Sequence, residues 1–310
     1  METLIDILIP TYNRCADLVK NIKGLTKQIK EEHLADKVTI IISDNCSPDD
    51  TKIQVEDLMT AHPELSITYF CQAKNIGLEP NVVDLMGRAT SPYVMWIGDD
   101  DYIVSGYLTF CIQQIEEKQI GCIIPGLSNL YEDGTIIESR LENFEYQAYP
   151  AGYNSLFEVS HLAHQMSGLL LNREGLIDRY LRDPEFRNPY LFIFWTADCL
   201  YRKGGIYAPH FKTLVSVFNV KDWGYNEVGL LDDVFKSYYF FKRDLTPIQL
   251  RELLLRFSKM HSYRYNIKKN EPFKLLKKYN ILSTKPPMSL PGFKYQLAMH
   301  LIKDYIKSYR

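Results

Sequence analysis

Apolar residues in the first hundred positions alternate between two patterns. Leu4–Ile9, Val38–Ser43, Ile67–Phe70 and Ser91–Met95 are short, almost unbroken apolar runs, the form of strands buried on both faces. Between them Leu18, Ile22, Leu25 and Ile29, and then Ile53, Leu58 and Met59, recur at helical spacing. A further helix is expected through Leu108, Ile112 and Ile115. Strand–helix alternation with short loops predicts an α/β fold, a mostly parallel sheet flanked by helices. Polar segments leave the carboxyl end of each strand: Pro10–Arg14, Asp44–Thr51, Lys74–Asn81 and Asp99–Asp101. Open parallel sheets bind ligands at that rim.

The pattern then changes. From Gly121 to Asn154 it is strand- and turn-like, with Glu132-Asp133-Gly134-Thr135 as a hairpin turn. His161–Leu171 leads into another apolar strand, and strands are expected near Ile206–Ala208 and Leu214–Phe218. Thr246-Pro247 opens a helix through Leu250, Leu253, Leu254 and Phe257, the hydroxyl capping and the proline in the first turn. A last helix places Phe293, Leu297, Leu301 and Tyr305 at steps of four. The expected division is 1–241, with halves near 1–125 and 126–241, followed by a helical appendage over 242–310.

Charge separates the two parts. Residues 242–310 hold sixteen Lys/Arg against four Asp/Glu, a net of +12, so residues 1–241 carry −14. The basic tail suits an anionic membrane surface, through 288–310, or packing on its own domain or on a protein partner such as a second copy, with a solvated basic face. No nucleic-acid recognition motif accompanies it, and nucleic acid is not an expected partner. The six cysteines are scattered without a Cys-x-x-Cys pair, which argues against a zinc site and fits a reduced, cytoplasmic setting. Met-Glu-Thr-Leu-Ile-Asp lacks the basic start of a secretory signal, and no apolar run is long enough to span a membrane.

Candidate chemistry centres on Trp96-Ile97-Gly98-Asp99-Asp100-Asp101. Three carboxylates at one strand end repel each other unless a cation or several donors meet them. A divalent ion bridging phosphates would do so, since Mg²⁺ takes one or two carboxylates plus phosphate oxygens. A solvated acidic turn is the plainer alternative. His161 and His164 read as hydrogen-bonded histidines or, less simply, as a metal pair.

Taken together, Ile-Pro-Thr-Tyr-Asn-Arg at the first strand, Asp44 ending the second, Asn75-x-Gly77-x-x-x-Asn81 before a helix, and the aspartates after the fourth resemble the family 2 glycosyltransferases. The resemblance covers 1–125 well and 160–220 loosely. It implies the glycosyltransferase A-type fold, Mn²⁺ or Mg²⁺, and inverting transfer from a nucleotide-sugar, a UDP-sugar above all, to a glycan or lipid-linked acceptor in surface polysaccharide synthesis. It also implies that Pro10, Thr11, Tyr12 and Arg14 line the base and ribose pocket, and that Asp44 accepts from the base. Asn75, Gly77 and Asn81 would pack beside the nucleotide. Asp99 would reach the ribose or metal, Asp100 would ligate the metal, and Asp101 would be a second ligand or a helix cap. Lys221 and Trp223 would fold over the donor.

Two departures stand out. Gly98 occupies a position where the family often has aspartate, and the Glu-Asp pair whose Asp serves as base is missing. Asp198 is the first candidate base, with Asp183 and Glu185 as alternatives; Asp198 could instead pair with Arg202 one turn on. A non-catalytic nucleotide-sugar binder and a nucleotidyltransferase remain as other readings, the latter without the usual glycine-rich phosphate loop.

Overall fold

The computed structural model describes residues 3–139, 145–217, 227–261, 276, 290 and 292–307. Side chains are described within these ranges except at 227–232, 304 and 307. The chain forms two compact units, one of Met1–Leu181 with Trp195–Val220, the other of Arg182–Phe194 with Lys221–Arg310. Residues 182–194 and 227–241, expected with the sheet, thus group with the C-terminal helices.

The first unit is a mixed sheet covered by helices. Its first half alternates as the pattern predicts: β1 (Ile5–Thr11), α1 (Cys15–Glu31), β2 (Val38–Asp44), α2 (Thr51–Ala61), β3 (Ser66–Cys71), α3 (Leu78–Arg88) and β4 (Tyr93–Trp96). Next come β5 (Tyr102–Ile103), α4 (Tyr107–Glu117), β6 (Cys122–Leu130), β7 (Ile136–Glu138), β8 (Gln147–Tyr149), α5 (Tyr153–Val159), β9 (Leu170–Asn172), α6 (Leu176–Leu181), α7 (Leu191–Lys203) and β10 (Gly205–Ser216). Strand order is β3-β2-β1-β4-β9-β6-β10-β5, with β7 against β6 and β8 against β10. β1 to β4 run parallel, β9 is antiparallel to β4 and β6, and β10 is parallel to β6.

Three expectations need adjusting. The sheet is more mixed than simple alternation implies, because β9 inserts antiparallel beside β4. The two strands expected near 206 and 214 are one strand, β10, with a register shift between Ala208 and Lys212. In α2 the inward residues are Thr51, Val55 and Leu58, whereas Ile53 is exposed.

The apolar stripe of α1 packs as its spacing requires: Leu18, Ile22, Leu25 and Ile29 join Ile5, Ile7, Ile9, Ile40 and Ile42 in one core. Two carboxylates, Asp6 buried and Glu32 half-buried, tie the ends of elements. Asp6 accepts from the Thr90 and Ser91 amides and the Ser91 hydroxyl. Glu32 accepts from the Gly106 amide and from the amide and hydroxyl of Thr109, filling the donor-rich start of α4.

The second unit contains α8 (Glu227–Tyr239), α9 (Pro247–Met260) and α10 (Phe293–Lys307). Rings pack its interior: Phe194 against Phe240, Tyr238 against Phe257, and Phe235 against Phe293. Thr246 and Gln249 form a reciprocal capping box at the start of α9, with Pro247 in the first turn.

Candidate active site

Parallel pairing brings four strand ends to one rim. Thr11 of β1 lies in register with Asp44 of β2, and Asp44 with Cys71 of β3. The Ile97 amide just past β4 still bonds the Leu8 carbonyl of β1. The loops leaving this rim brace one another. The Asn45 amide donates to the Thr11 carbonyl, the Asn13 amide to the Ser47 hydroxyl, and the Cys15 amide to Asp49. Asn13 and Cys46 both hold positive φ, +54° and +68°, a conformation asparagine adopts readily and cysteine seldom does.

The acidic turn is the most densely bonded part of the rim. Asn21, on the buried face of α1, donates from one amide nitrogen to the carbonyls of Gly98 and Asp101, each at 2.7 Å. The Gly98 amide donates to the Ser167 hydroxyl. Ser167 and Gln165 both donate to Asp101 Oδ2, at 2.5 and 3.1 Å, and the Ser216 amide donates to its Oδ1. The Ser216 hydroxyl donates to the Asp100 carbonyl. Elements far apart in sequence therefore fix this turn before any ligand arrives.

Within it the three aspartates differ. Asp101 turns inward, where Ser167, Gln165 and Ser216 meet its carboxylate. Three donors thus give its carboxylate a part in holding the turn, a role beside that of the second metal ligand or helix cap expected of it. Asp99 accepts from the Thr11 hydroxyl at 2.9 Å and lies 3.5 Å from Arg14 Nη1. Its burial pushes the carboxyl up to about 7, with Asp100 and Asp101 adding to the rise and Arg14 and Thr11 opposing it. Asp100 Oδ2 lies 2.8 Å from Arg14 Nη1. Arg14, expected beside the base and ribose, instead places its guanidinium against both carboxylates.

Gly98 now has a steric reason. A Cβ there would lie 3.0 Å from Asp101 Oδ2 and 3.3 Å from Ser167 Oγ, so the side chain common in the family would press on the bonds that fix the turn.

The second and third loops form the neighbouring wall. Asp44 is buried and accepts from the Ser47 amide and hydroxyl and from Tyr69 Oη at 2.6 Å. A carboxylate has about four acceptor directions, so one is left. Asn45 donates to Asn75 Oδ1, which also accepts from the Gly77 amide, and Gly77 has φ +88°, which suits only glycine. Asn81 is buried and bonds the carbonyl and hydroxyl of Ser43, bracing α3 on β2 rather than facing a ligand. This corrects its placement beside the nucleotide. Pro10 is buried within β1, and Tyr12 is 44% exposed at the loop. Lys221 and Trp223 lie outside the described residues.

The geometry speaks against Asp198 as a base. It lies within α7, 1% exposed, with Arg179 Nη2 2.6 Å from Oδ2 and Arg202 Nε 2.8 Å from Oδ1. The adjacent Cys199 approaches the Asn172 carbonyl, and Asn172 pairs with Tyr93 at the start of β4, the end remote from Asp99–Asp101. The i+4 partner visible in the sequence, joined by Arg179, made it a structural ion pair. Asp183 and Glu185 belong to the second unit. Asp183 is buried between Arg182 and Arg243, each at 3.0 Å, whereas Glu185 has an exposed side chain 3.4 Å from Lys242. His161 is buried in a 3₁₀ turn, and His164 Nδ1 lies 3.2 Å from its carbonyl.

Sequence reasoning missed Asn21, Gln165, Ser167 and Ser216. Asn21 alone left a signal, a polar residue inside the apolar stripe of α1.

Comparison with known proteins bears on the same residues. The family described as Glycosyl transferase family 2 matches residues 6–180, more than half the chain. A relative from Campylobacter jejuni, GalNAc(5)-diNAcBac-PP-undecaprenol beta-1,3-glucosyltransferase, is 30% identical over 134 residues. That match covers 42% of this chain and only 41% of the relative. Among solved structures, S. aureus TarS 1-349 in complex with UDP-GlcNAc superposes with a TM-score of 0.67 at 15% identity, covering 98% of this chain and 89% of that one. The mannosyltransferase PcManGT from Pyrobaculum calidifontis, in complex with GDP-Man and Mn²⁺, gives 0.57 at 14% identity, covering 99% and 88%. At such identities these two likenesses establish the fold alone.

Proposed function

Because the chain belongs to glycosyl transferase family 2, we propose that it moves a sugar from a nucleotide-diphosphate donor, a UDP-sugar, to a glycan or lipid-linked acceptor with inversion. The observation that carries this reading is the junction of Thr11, Arg14, Asp99 and Asp100 at the carboxyl rim of β1 and β4. Among the described residues its two carboxylates face the Arg14 guanidinium, and burial holds Asp99 unusually hard to ionise.

The donor set fits a hard divalent cation. Among the described residues no three His, Cys, Asp or Glu side chains stand together to hold a metal unaided. One or two carboxylates plus phosphate oxygens is the usual Mg²⁺ arrangement. Asp100, with Asp99, would hold Mn²⁺ or Mg²⁺. The ion would supply Lewis-acid stabilisation of the charge growing on the leaving diphosphate.

The chain's own groups do the rest. Arg14 brings a guanidinium suited to phosphate next to Asp100. Asp44 has one acceptor direction left for a base N–H, and Pro10, Tyr12, Asn75 and Gly77 flank that wall. Asn21, Ser167 and Ser216 keep the carboxylates pre-positioned, so little reorganisation is needed when the donor enters. A lipid-linked acceptor accords with the undecaprenol-linked substrate in the C. jejuni relative's name.

The test is hydrolysis and transfer with a panel of nucleotide sugars, with and without Mn²⁺ or Mg²⁺. Metal-dependent release of nucleoside diphosphate is expected. Asp100→Asn should lower kcat/KM by about a hundredfold or more, given that a catalytic cation is worth several kcal/mol. Wild-type rates in that variant refute the assignment. The locked state of Asp198 supports a second reading, a nucleotide-sugar binder that does no chemistry. That reading predicts tight binding of donor with no hydrolysis of any panel member.

A further inference from the structure

The last helix has two apolar faces, and only one of them is packed. Phe293, Leu297 and Leu301 are buried, with Phe293 edge-on to Phe235 of α8. Tyr295, Met299, Ile302 and Ile306 follow spacings of four, three and four, so they form one stripe on another side. They are 70%, 39%, 44% and 56% exposed. By helical position Lys294 lies on one flank of that stripe and Lys303 on the other, and both are exposed.

We propose that α10 lies on an anionic lipid surface, with Tyr295, Met299, Ile302 and Ile306 entering the headgroup boundary and Lys294 and Lys303 meeting lipid phosphates. The combination is that of an interfacial helix, an apolar stripe bordered by lysines. Charge decides among occupants. The 242–310 region carries a net +12, which an anionic surface attracts by about 1 kcal/mol per nearby Lys or Arg. A second copy docked through the same stripe would bring two sets of lysines together, with only four acidic residues in the region to offset them. The helix is 15 residues, roughly 22 Å at 1.5 Å per residue. No described helix is long and apolar enough to cross a membrane, so α10 would lie in the plane of the surface. This inference does not depend on the assignment of the active site.

The test is co-sedimentation of the full chain with vesicles of phosphatidylglycerol and phosphatidylethanolamine, against vesicles of phosphatidylcholine alone. Binding is expected to the first and not the second. Ile302→Glu with Ile306→Glu should reduce it about tenfold or more, since two apolar anchors become charges. Both positions are exposed, and thermal melting by circular dichroism verifies that the variant is folded. Lys294→Glu with Lys303→Glu should also weaken binding and flatten its dependence on salt. Equal recovery of wild type and the isoleucine variant overturns the proposal. So does equal recovery with both vesicle types. Concentration-dependent self-association that the isoleucine variant abolishes, with no vesicle binding, also overturns it and assigns the stripe to a second copy.

Discussion

Asn21 donates to two carbonyls at once, and so holds both ends of the acidic turn. Asn21→Leu keeps the branching and heavy-atom count of the side chain and removes both bonds, leaving two buried carbonyls without that donor. It should cost about 1–3 kcal/mol in urea unfolding and weaken donor binding as the carboxylates lose their fixed positions. A variant with wild-type stability would show that the clasp is redundant. Gly98→Asp, which restores the residue common in the family, should also destabilise. Its Cβ meets Asp101 at 3.0 Å, and it adds a fourth carboxylate to the cluster. Asp198→Asn separates the two roles weighed for that residue. As an ion-pair centre with partly exposed arginines it should lose about 1–3 kcal/mol of stability and keep most of its turnover at low temperature. Abolished turnover in a variant of normal stability would restore it as the base.

Titration adds a test at the same scale. Burial pushes the thiols of Cys111, Cys122 and Cys199 well above the ordinary range, and Tyr107 with them. Their folded-state values are raised, so their contribution is fully present below the unfolded value and is lost as pH rises. Stability should therefore fall above about pH 9, where unfolded thiols ionise and folded ones do not. A thiol reagent at pH 8 should modify the exposed Cys71 quickly and these three only on unfolding.

Among elements, the capping box of α9 is the cleanest isolated feature. Thr246→Ala removes the hydroxyl that accepts from the Gln249 amide and should cost about 1 kcal/mol, read as a lower melting temperature. This cap was visible in the sequence because capping depends on residues three apart. The same locality made β1 to β4 legible, together with α1, whose spacing alone names its buried face. Ile53 misled because α2 is short and only Val55 and Leu58 complete an inward face with Thr51. The merging of two expected strands into β10 was hidden because a register shift looks like a break in alternation. The site divides the same way. Asp44, Asp99 and Asp100 stand at strand ends and announce themselves. The inward turn of Asp101 depends on Gln165, Ser167 and Ser216, residues 64 to 115 positions away, and no local pattern encodes that.

Across the whole molecule, the sheet is assembled out of sequence order. β10 is its last strand to be made, yet it takes an interior place, parallel to β6 and flanked by β5 and β8. β6 is left without that neighbour until residue 216 is present. A chain cut before β10 would present unpaired amides and carbonyls along an apolar strand, and it should be recovered in inclusion bodies, whereas the full chain stays in the supernatant.

That placement also has a consequence during synthesis. A nascent chain paused near residue 204 has spelled out every acidic residue of the rim, but the ribosome still owes it the strand that completes the sheet. Trigger-factor-like holdases should crosslink most strongly to chains of that length and let go once β10 clears the exit tunnel.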